Sequence, residues 1–135
     1  MIFYDTETCG LHGICVLIQY TEYDGRSINS YKPYTGEINL YSVWHEPIHK
    51  TLKLIEWMMS HENVGFNLAF DHFHLCKLYT VLSLCNHNEL PINIIPEIVE
   101  KEPLGRDGPC LKPKAACDIM LHARKGPYQS VMDRG

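Results

Sequence analysis

The chain has 135 residues, of which 45% are apolar and 10% aromatic, a size and composition typical of one domain with a hydrophobic core. It contains no run of 18 apolar residues and no N-terminal basic segment followed by a long apolar stretch. These absences argue against a transmembrane helix and a signal peptide, so we expect no membrane association and a cytoplasmic, intracellular location.

The net charge of −4 is unevenly distributed along the chain. Residues 1–100 carry five Lys and Arg against twelve Asp and Glu, whereas residues 101–135 carry seven against four. An acidic body beside a basic stretch fits a metal site next to a phosphate-binding surface. It equally fits an ordinary solvated tail, so the charge alone does not decide the function.

The first part of the chain predicts an antiparallel meander of three strands. Residues 2–7 and 14–20 are apolar segments of high β propensity. Asp24 and Gly25 form a hairpin-turn signal, and we expect a third strand over residues 27–33.

The middle of the chain predicts a strand between two helices. Apolar residues recur at helical spacing over residues 46–61, where Pro47 suits a first turn. Residues 63–67 then predict a strand, and residues 68–84 a mostly buried helix. A strand, a helix and a second strand usually form a parallel crossover, so we expect strands 2–7 and 63–67 to be parallel neighbours.

The last part of the chain is interrupted by prolines and regains regular structure late. Five prolines disrupt residues 86–114, and residues 115–126 predict a short strand leading into a helical turn. The whole pattern predicts an α/β fold with a mixed sheet of about five strands and helices on its faces.

Three acidic residues follow the two strands that we expect to be parallel. Asp5 and Glu7 lie two positions apart, so their side chains point to the same side of a strand. Asp71 lies within an apolar helix, where a buried acid without a partner would be costly. Binding sites in open α/β sheets form at the carboxyl ends of the strands. Converging carboxylates there suit a two-metal Mg²⁺ or Mn²⁺ site that hydrolyses a phosphodiester.

Two segments of the chain, together with their spacing, resemble a known family. FYDTETCGL at residues 3–11 resembles the first motif of the DEDD 3′–5′ exonucleases, and GFNLAFDHFHL at residues 65–75 resembles the second. ACDIMLHAR at residues 116–124 is similar to a later segment of the same domain. The resemblance covers most of residues 1–126 and is closest to the N-terminal proofreading domain of phage family A DNA polymerases.

The resemblance implies a ribonuclease H-like fold and a hydrolase that shortens DNA from a single-stranded 3′ end. It implies three catalytic metal ligands for Mg²⁺ or Mn²⁺: Asp5, Glu7 and Asp71. It implies four substrate contacts: Thr6, Thr8, Leu11 and Asn67. A polymerase domain in a longer chain would be a partner of such a domain.

The third motif of that family is not found within the 135 residues. In that motif a Tyr precedes an Asp by four residues, or a His precedes it by five. Tyr128 and Asp133 are five residues apart, which fits neither form. We therefore expect residues 1–135 to be one incomplete exonuclease domain, with Asp118 and Asp133 as weaker candidates for a fourth ligand. Asp118 could instead cap the following turn, and Asn67 could cap the second helix.

Two other interpretations remain open. Without a third motif, the chain could be a catalytically inert nucleic-acid-binding or docking domain. A structural zinc site could also be assembled from cysteines and a histidine, although the spacings match no common zinc pattern. Its members would come from this set: Cys76, Cys85, His87, Cys110 and Cys117.

Overall fold

The computed structural model describes residues 1–10, 13–23, 36–87 and 111–125. In chain order its helices and strands are β1 (Ile2–Thr8), β2 (Cys15–Glu22), β3 (Asn39–Ser42), α1 (Ile48–Met59), β4 (Glu62–Gly65), α2 (Leu68–His87), β5 (Ala115–Asp118) and α3 (Ile119–Lys125). A single 3₁₀ turn, Val43–His45, links β3 to α1.

The described strands form one five-stranded sheet in the order β3-β2-β1-β4-β5. β2 is antiparallel to β1 and β3, whereas β4 is parallel to both β1 and β5. The predicted mixed sheet and the predicted parallel pairing of the first strand with the strand after α1 are therefore confirmed. The sequence also located α1, β4, α2, β5 and α3 to within a few residues.

The third strand of the antiparallel meander in the described part of the chain is β3. The antiparallel partner of β2 is residues 39–42, with Leu17 opposite Ser42 and Tyr20 opposite Asn39. The predicted turn at Asp24 and Gly25 and the predicted strand at 27–33 lie outside the described residues.

Helices α1 and α2 cover one face of the sheet. The crossovers from β3 to β4 and from β4 to β5 run in the same direction along the sheet, which places both helices on the same side. The core between helices and sheet contains fully buried apolar side chains: Ile2, Ile18, Ile55, Met58, Leu75, Leu78, Val81 and Leu82. Burial of each such side chain contributes about 1.5–3 kcal/mol.

Strand β1 alternates between the two faces of the sheet. Ile2, Tyr4 and Thr6 are buried on the helix side, whereas Asp5 and Glu7 are exposed. The two predicted metal ligands of β1 therefore share the face that α1 and α2 leave open. Among the described residues, no helix combines the length and apolar character that a bilayer crossing requires.

Candidate active site

The carboxyl ends of the parallel strands meet at one edge of the sheet, which we call the carboxyl edge. The register pairs Phe3 with Val64, and β4 ends at Gly65, so the second half of β1 extends beyond β4. A Cβ atom on Gly65 would lie 2.9 Å from Leu68 Cδ1 and 3.3 Å from the Tyr4 carbonyl oxygen. Glycine at this position therefore allows β1, β4 and the start of α2 to approach one another closely.

Asp71 occupies the space beside β1 that β4 vacates. Its side chain is 3% exposed, and Oδ1 accepts hydrogen bonds from the Thr6 backbone N–H at 3.1 Å and the Thr6 hydroxyl at 2.5 Å. Hydrogen bonds to a charged group contribute about 1.5–3 kcal/mol each. The first turn of α2 is thus joined to the extended end of β1, and the Thr6 hydroxyl holds Asp71.

Asp5 lies beside Asp71. The pKa of Asp71 is raised chiefly by burial; the Thr6 hydrogen bonds oppose this rise, and the nearby Asp5 carboxyl adds to it. Two carboxyl groups this close repel each other when both are ionised. The structure therefore brings together two of the three predicted ligands in a pair of hard oxygen donors that a divalent cation would stabilise.

Glu7 is the third predicted ligand, and its side chain is exposed two positions beyond Asp5 on the same strand face. Within the described residues, no three or more Asp, Glu, His or Cys side chains are grouped so that they could hold a metal ion. Asp5 and Asp71 fit such an ion as a pair, whereas Glu7 must turn toward them to complete the set.

The turn after β1 contains the predicted substrate contact Thr8. Its hydroxyl donates a hydrogen bond to the Gly10 carbonyl oxygen at 2.6 Å, and Gly10 adopts a φ of 75°, which glycine tolerates readily. The pairing of β1 with β2 shifts register between Glu7 and Thr8. The hydroxyl thus stabilises the turn, in which the N–H groups of Cys9 and Gly10 also donate hydrogen bonds, to the carbonyl oxygens of Ile14 and Thr8. Leu11 lies outside the described residues.

Asp118, at the end of β5, binds the start of α2. Oδ1 accepts from the backbone N–H of Asn67 at 2.9 Å and of Met120 at 3.0 Å, while Oδ2 accepts from the N–H of Leu68 at 2.9 Å. The expectation that Asp118 caps the following turn is confirmed by the Met120 contact. The bonds to α2 show that Asp118 rather than Asn67 provides the side-chain cap there.

Asn67 has an unusual backbone conformation. Its φ of 54° lies in the left-handed region, which non-glycine residues rarely adopt, although Asn tolerates it better than most. Such residues cluster at functional sites. Asn67 is exposed at the carboxyl edge, a position that suits its predicted contact with a substrate. Asp133 lies outside the described residues.

Sequence reasoning missed two aromatic residues near the acidic pair. Phe66 is 61% exposed in the link between β4 and α2, and Phe70 is 36% exposed one position before Asp71. Exposed phenylalanines offer stacking surfaces for bases. The sequence did contain a signal for them: Phe66 directly precedes Asn67, and Phe70 directly precedes Asp71. At exposed positions next to such polar residues, a chain that only has to fold would favour polar side chains.

The cysteines do not form an evident zinc site in the part of the chain that the structure describes. Five of them lie there, and no disulfide bond joins any two of these five: Cys9, Cys15, Cys76, Cys85 and Cys117. Burial raises the pKa of Cys15 to about 12, which keeps that thiol protonated and unreactive. Cys110 and the side chain of His87 lie outside the described set, so the predicted zinc ligands are not all placed.

No family model, no curated protein and no solved structure matches this chain. Its function therefore has to be inferred from the residues at the carboxyl edge and from their geometry.

Proposed function

We propose that this chain is the ribonuclease H-like part of a metal-dependent 3′–5′ exonuclease that removes nucleotides from single-stranded DNA ends, as a proofreading domain does. One observation carries the proposal. Asp71 is buried and fixed against Thr6, with the Asp5 carboxyl beside it, at the carboxyl edge of a mixed five-stranded sheet. This sheet is compatible with the ribonuclease H-like fold that the sequence motifs suggest.

The acidic pair needs a compensating positive charge. A buried ionised carboxylate next to another carboxylate is unfavourable, and oxygen donors are the ligands that Mg²⁺ and Mn²⁺ prefer. When bound, two such ions activate water and stabilise the leaving oxygen of a phosphodiester. The residues of the chain contribute the holding groups: Asp5 and Asp71 as a neighbouring pair, Glu7 as an exposed third ligand that would turn toward them, and Thr6 as the group that orients Asp71.

The surroundings of the pair suit a single strand rather than a duplex. The exposed rings of Phe66 and Phe70 can stack on bases that are not engaged in pairing. Asn67 lies between them in the chain and is exposed in the β4–α2 link, and Cys9 and Gly10 are exposed in the turn after Thr8. A terminal nucleotide held between these two segments would place its phosphate beside Asp5 and Asp71.

The test is a cleavage assay with the full 135-residue chain, an end-labelled single-stranded oligonucleotide and Mn²⁺. We expect stepwise shortening from the 3′ end, and loss of at least about 10²-fold in rate for Asp5→Asn. Glu62→Gln is the matched control, because it removes the same charge at the start of β4, at the opposite edge of the sheet. A parallel RNA oligonucleotide determines whether the 2′-hydroxyl is tolerated.

A second candidate is an inert nucleic-acid-binding or docking domain. It is favoured by the finding that the described residues include no group of three potential metal ligands. Binding of the oligonucleotide without any shortening, at an affinity unaffected by Mn²⁺ and by Asp5→Asn, would support this candidate and overturn the exonuclease proposal.

A further inference from the structure

The Asp118 carboxylate connects three elements at the carboxyl edge. It lies at the end of β5 and accepts hydrogen bonds from the backbone N–H groups of Asn67 and Leu68, about fifty positions earlier in the chain, and of Met120 in α3. The three distances lie between 2.9 and 3.0 Å, the usual range for an N–H···O hydrogen bond. Both carboxylate oxygens are therefore engaged by backbone groups.

The bonds from Asp118 stabilise the start of α2, which would otherwise have unpaired N–H groups. The first N–H groups of a helix have no partner within the helix, and a negative charge near them is favourable. Asn67, just before α2, adopts a strained backbone conformation with a φ of 54°. A left-handed residue persists where its surroundings hold it in place, and Asp118 supplies that hold by binding the N–H of Asn67 itself.

Asp71 lies three residues after Leu68, within the first turn of α2. Its carboxylate reaches sideways to the backbone and hydroxyl of Thr6 on β1. A displacement of the start of α2 by about 1 Å would break both bonds, since hydrogen bonds weaken steeply beyond about 3.2 Å. The position of Asp71 therefore depends on whatever fixes the start of α2 relative to the sheet.

We propose that Asp118 is a positioning residue: by clamping the N–H groups of Asn67 and Leu68 to the end of β5, it holds Asp71 against Thr6 beside Asp5. The inference deepens the proposed function, since Asp71 is there a metal ligand. It assigns Asp118 to backbone binding, a role different from that of a fourth ligand.

A merely local role is the alternative, in which Asp118 caps α3 through Met120 and nothing more. Asp118→Ser separates the two roles. Serine is a good helix cap and can still accept from the N–H of Met120, but its shorter side chain cannot also span to Asn67 and Leu68. Asp118→Asn is the graded variant, because its amide retains one acceptor oxygen where the carboxylate has two.

The first measurement is amide hydrogen exchange of the full chain by NMR, without divalent ions. We expect Asp118→Ser to lower the protection of the Thr6 N–H about tenfold more than that of the Ile18 N–H in β2, with Asp118→Asn intermediate. The Ile18 amide serves as the reference for global stability. Equal loss of protection at Thr6 and Ile18, or no loss at either, would overturn the proposal.

The second measurement is Mn²⁺ affinity by electron paramagnetic resonance on the same variants. We expect Asp118→Ser to weaken binding about tenfold, as loss of an outer partner of a metal ligand does. If the unaltered chain binds no Mn²⁺, the proposed function fails, whereas the Thr6 exchange result still decides whether Asp118 positions Asp71. Tighter or equal Mn²⁺ binding by Asp118→Ser would count against the positioning role.

Discussion

The core beneath α1 and α2 and the carboxyl edge of the sheet differ in how their buried side chains are packed and hydrogen-bonded. In the core, apolar side chains bury one another, and a buried polar pair such as Tyr41 and Thr51 is hydrogen-bonded, at 2.8 Å. At the edge, a buried acid lies beside a second acid, and a residue with a φ of 54° depends on a carboxylate from another strand. Departures from local rules are concentrated where we place the function, although one described core group, the Tyr4 hydroxyl, also lacks a hydrogen-bond partner.

The strongest test of this contrast between the core and the edge is to compare two substitutions of Asp71. Asp71→Ala leaves the buried N–H and hydroxyl of Thr6 without their acceptor, so we expect the free energy of unfolding to fall by about 2–4 kcal/mol. Asp71→Asn keeps an acceptor oxygen for Thr6 and removes the repulsion from Asp5, so it should stay within about 1 kcal/mol of the unaltered chain. Urea-induced unfolding without divalent ions measures both.

If Asp71→Asn proved as unstable as Asp71→Ala, the charge itself would be holding Thr6. The carboxyl edge would then be a structural feature like the core, and the contrast between the two regions would fail.

A divalent cation should remove the conflict at the edge and leave the core unchanged. A ligand at a hundred times its dissociation constant stabilises a folded protein by about 2.7 kcal/mol. We therefore expect Mn²⁺ to raise the melting temperature of the unaltered chain and of Glu62→Gln, as measured by circular dichroism. Asp5→Asn and Asp71→Asn should abolish the rise, and an equal rise in all four proteins would place the ion elsewhere.

The sequence predicted the core better than the edge because core contacts repeat along the chain. Apolar residues at helical spacing located α1 and α2, and β propensity located β1 and β2. The pairing of Asp5 with Asp71 followed from expecting two parallel strands. Asp118 binds amides about fifty positions away, and no periodic pattern encodes such a contact.

Thr6 illustrates the same limit on a smaller scale. It stands between Asp5 and Glu7 in the chain, yet strand alternation turns its side chain to the helix face, where it meets Asp71. The alternation was available from the sequence, but the acceptor on the other side was not. The arrangement of the strands explains this acceptor. Because β4 ends before it reaches Thr6, the N–H of Thr6 is bound by Asp71 of α2 instead of by a strand.

The acidic pair of Asp5 and Asp71 should affect how the free energy of unfolding depends on pH. Asp71 has a pKa above its ordinary value of 3.8 in the folded chain, so the folded state binds more protons than the unfolded state between the two values. Its contribution to stability is greatest below the unfolded value and is lost as the pH rises through the folded one. Without divalent ions, Asp71→Asn should flatten this fall in urea unfolding curves.

Because the chain contains other carboxyl groups, the comparison is made between variants at each pH. Glu62→Gln should preserve the pH dependence of the unaltered chain. An unchanged dependence in Asp71→Asn would mean that burial and Asp5 do not act on Asp71 as the geometry indicates.

The smallest expected effect concerns a hydroxyl within the core itself. Among the described residues, the buried Tyr4 hydroxyl has no hydrogen-bond partner, and burial followed by the charge of Asp71 raises its pKa. Tyr4→Phe removes this unpaired group and should raise the free energy of unfolding by about 1 kcal/mol. Tyr41→Phe is the matched variant with the opposite sign, since it breaks the bond to Thr51 and should cost about 1 kcal/mol. Urea unfolding that shows a loss for both variants would mean that the Tyr4 hydroxyl is satisfied by ordered water, and that the core tolerates no unpaired group.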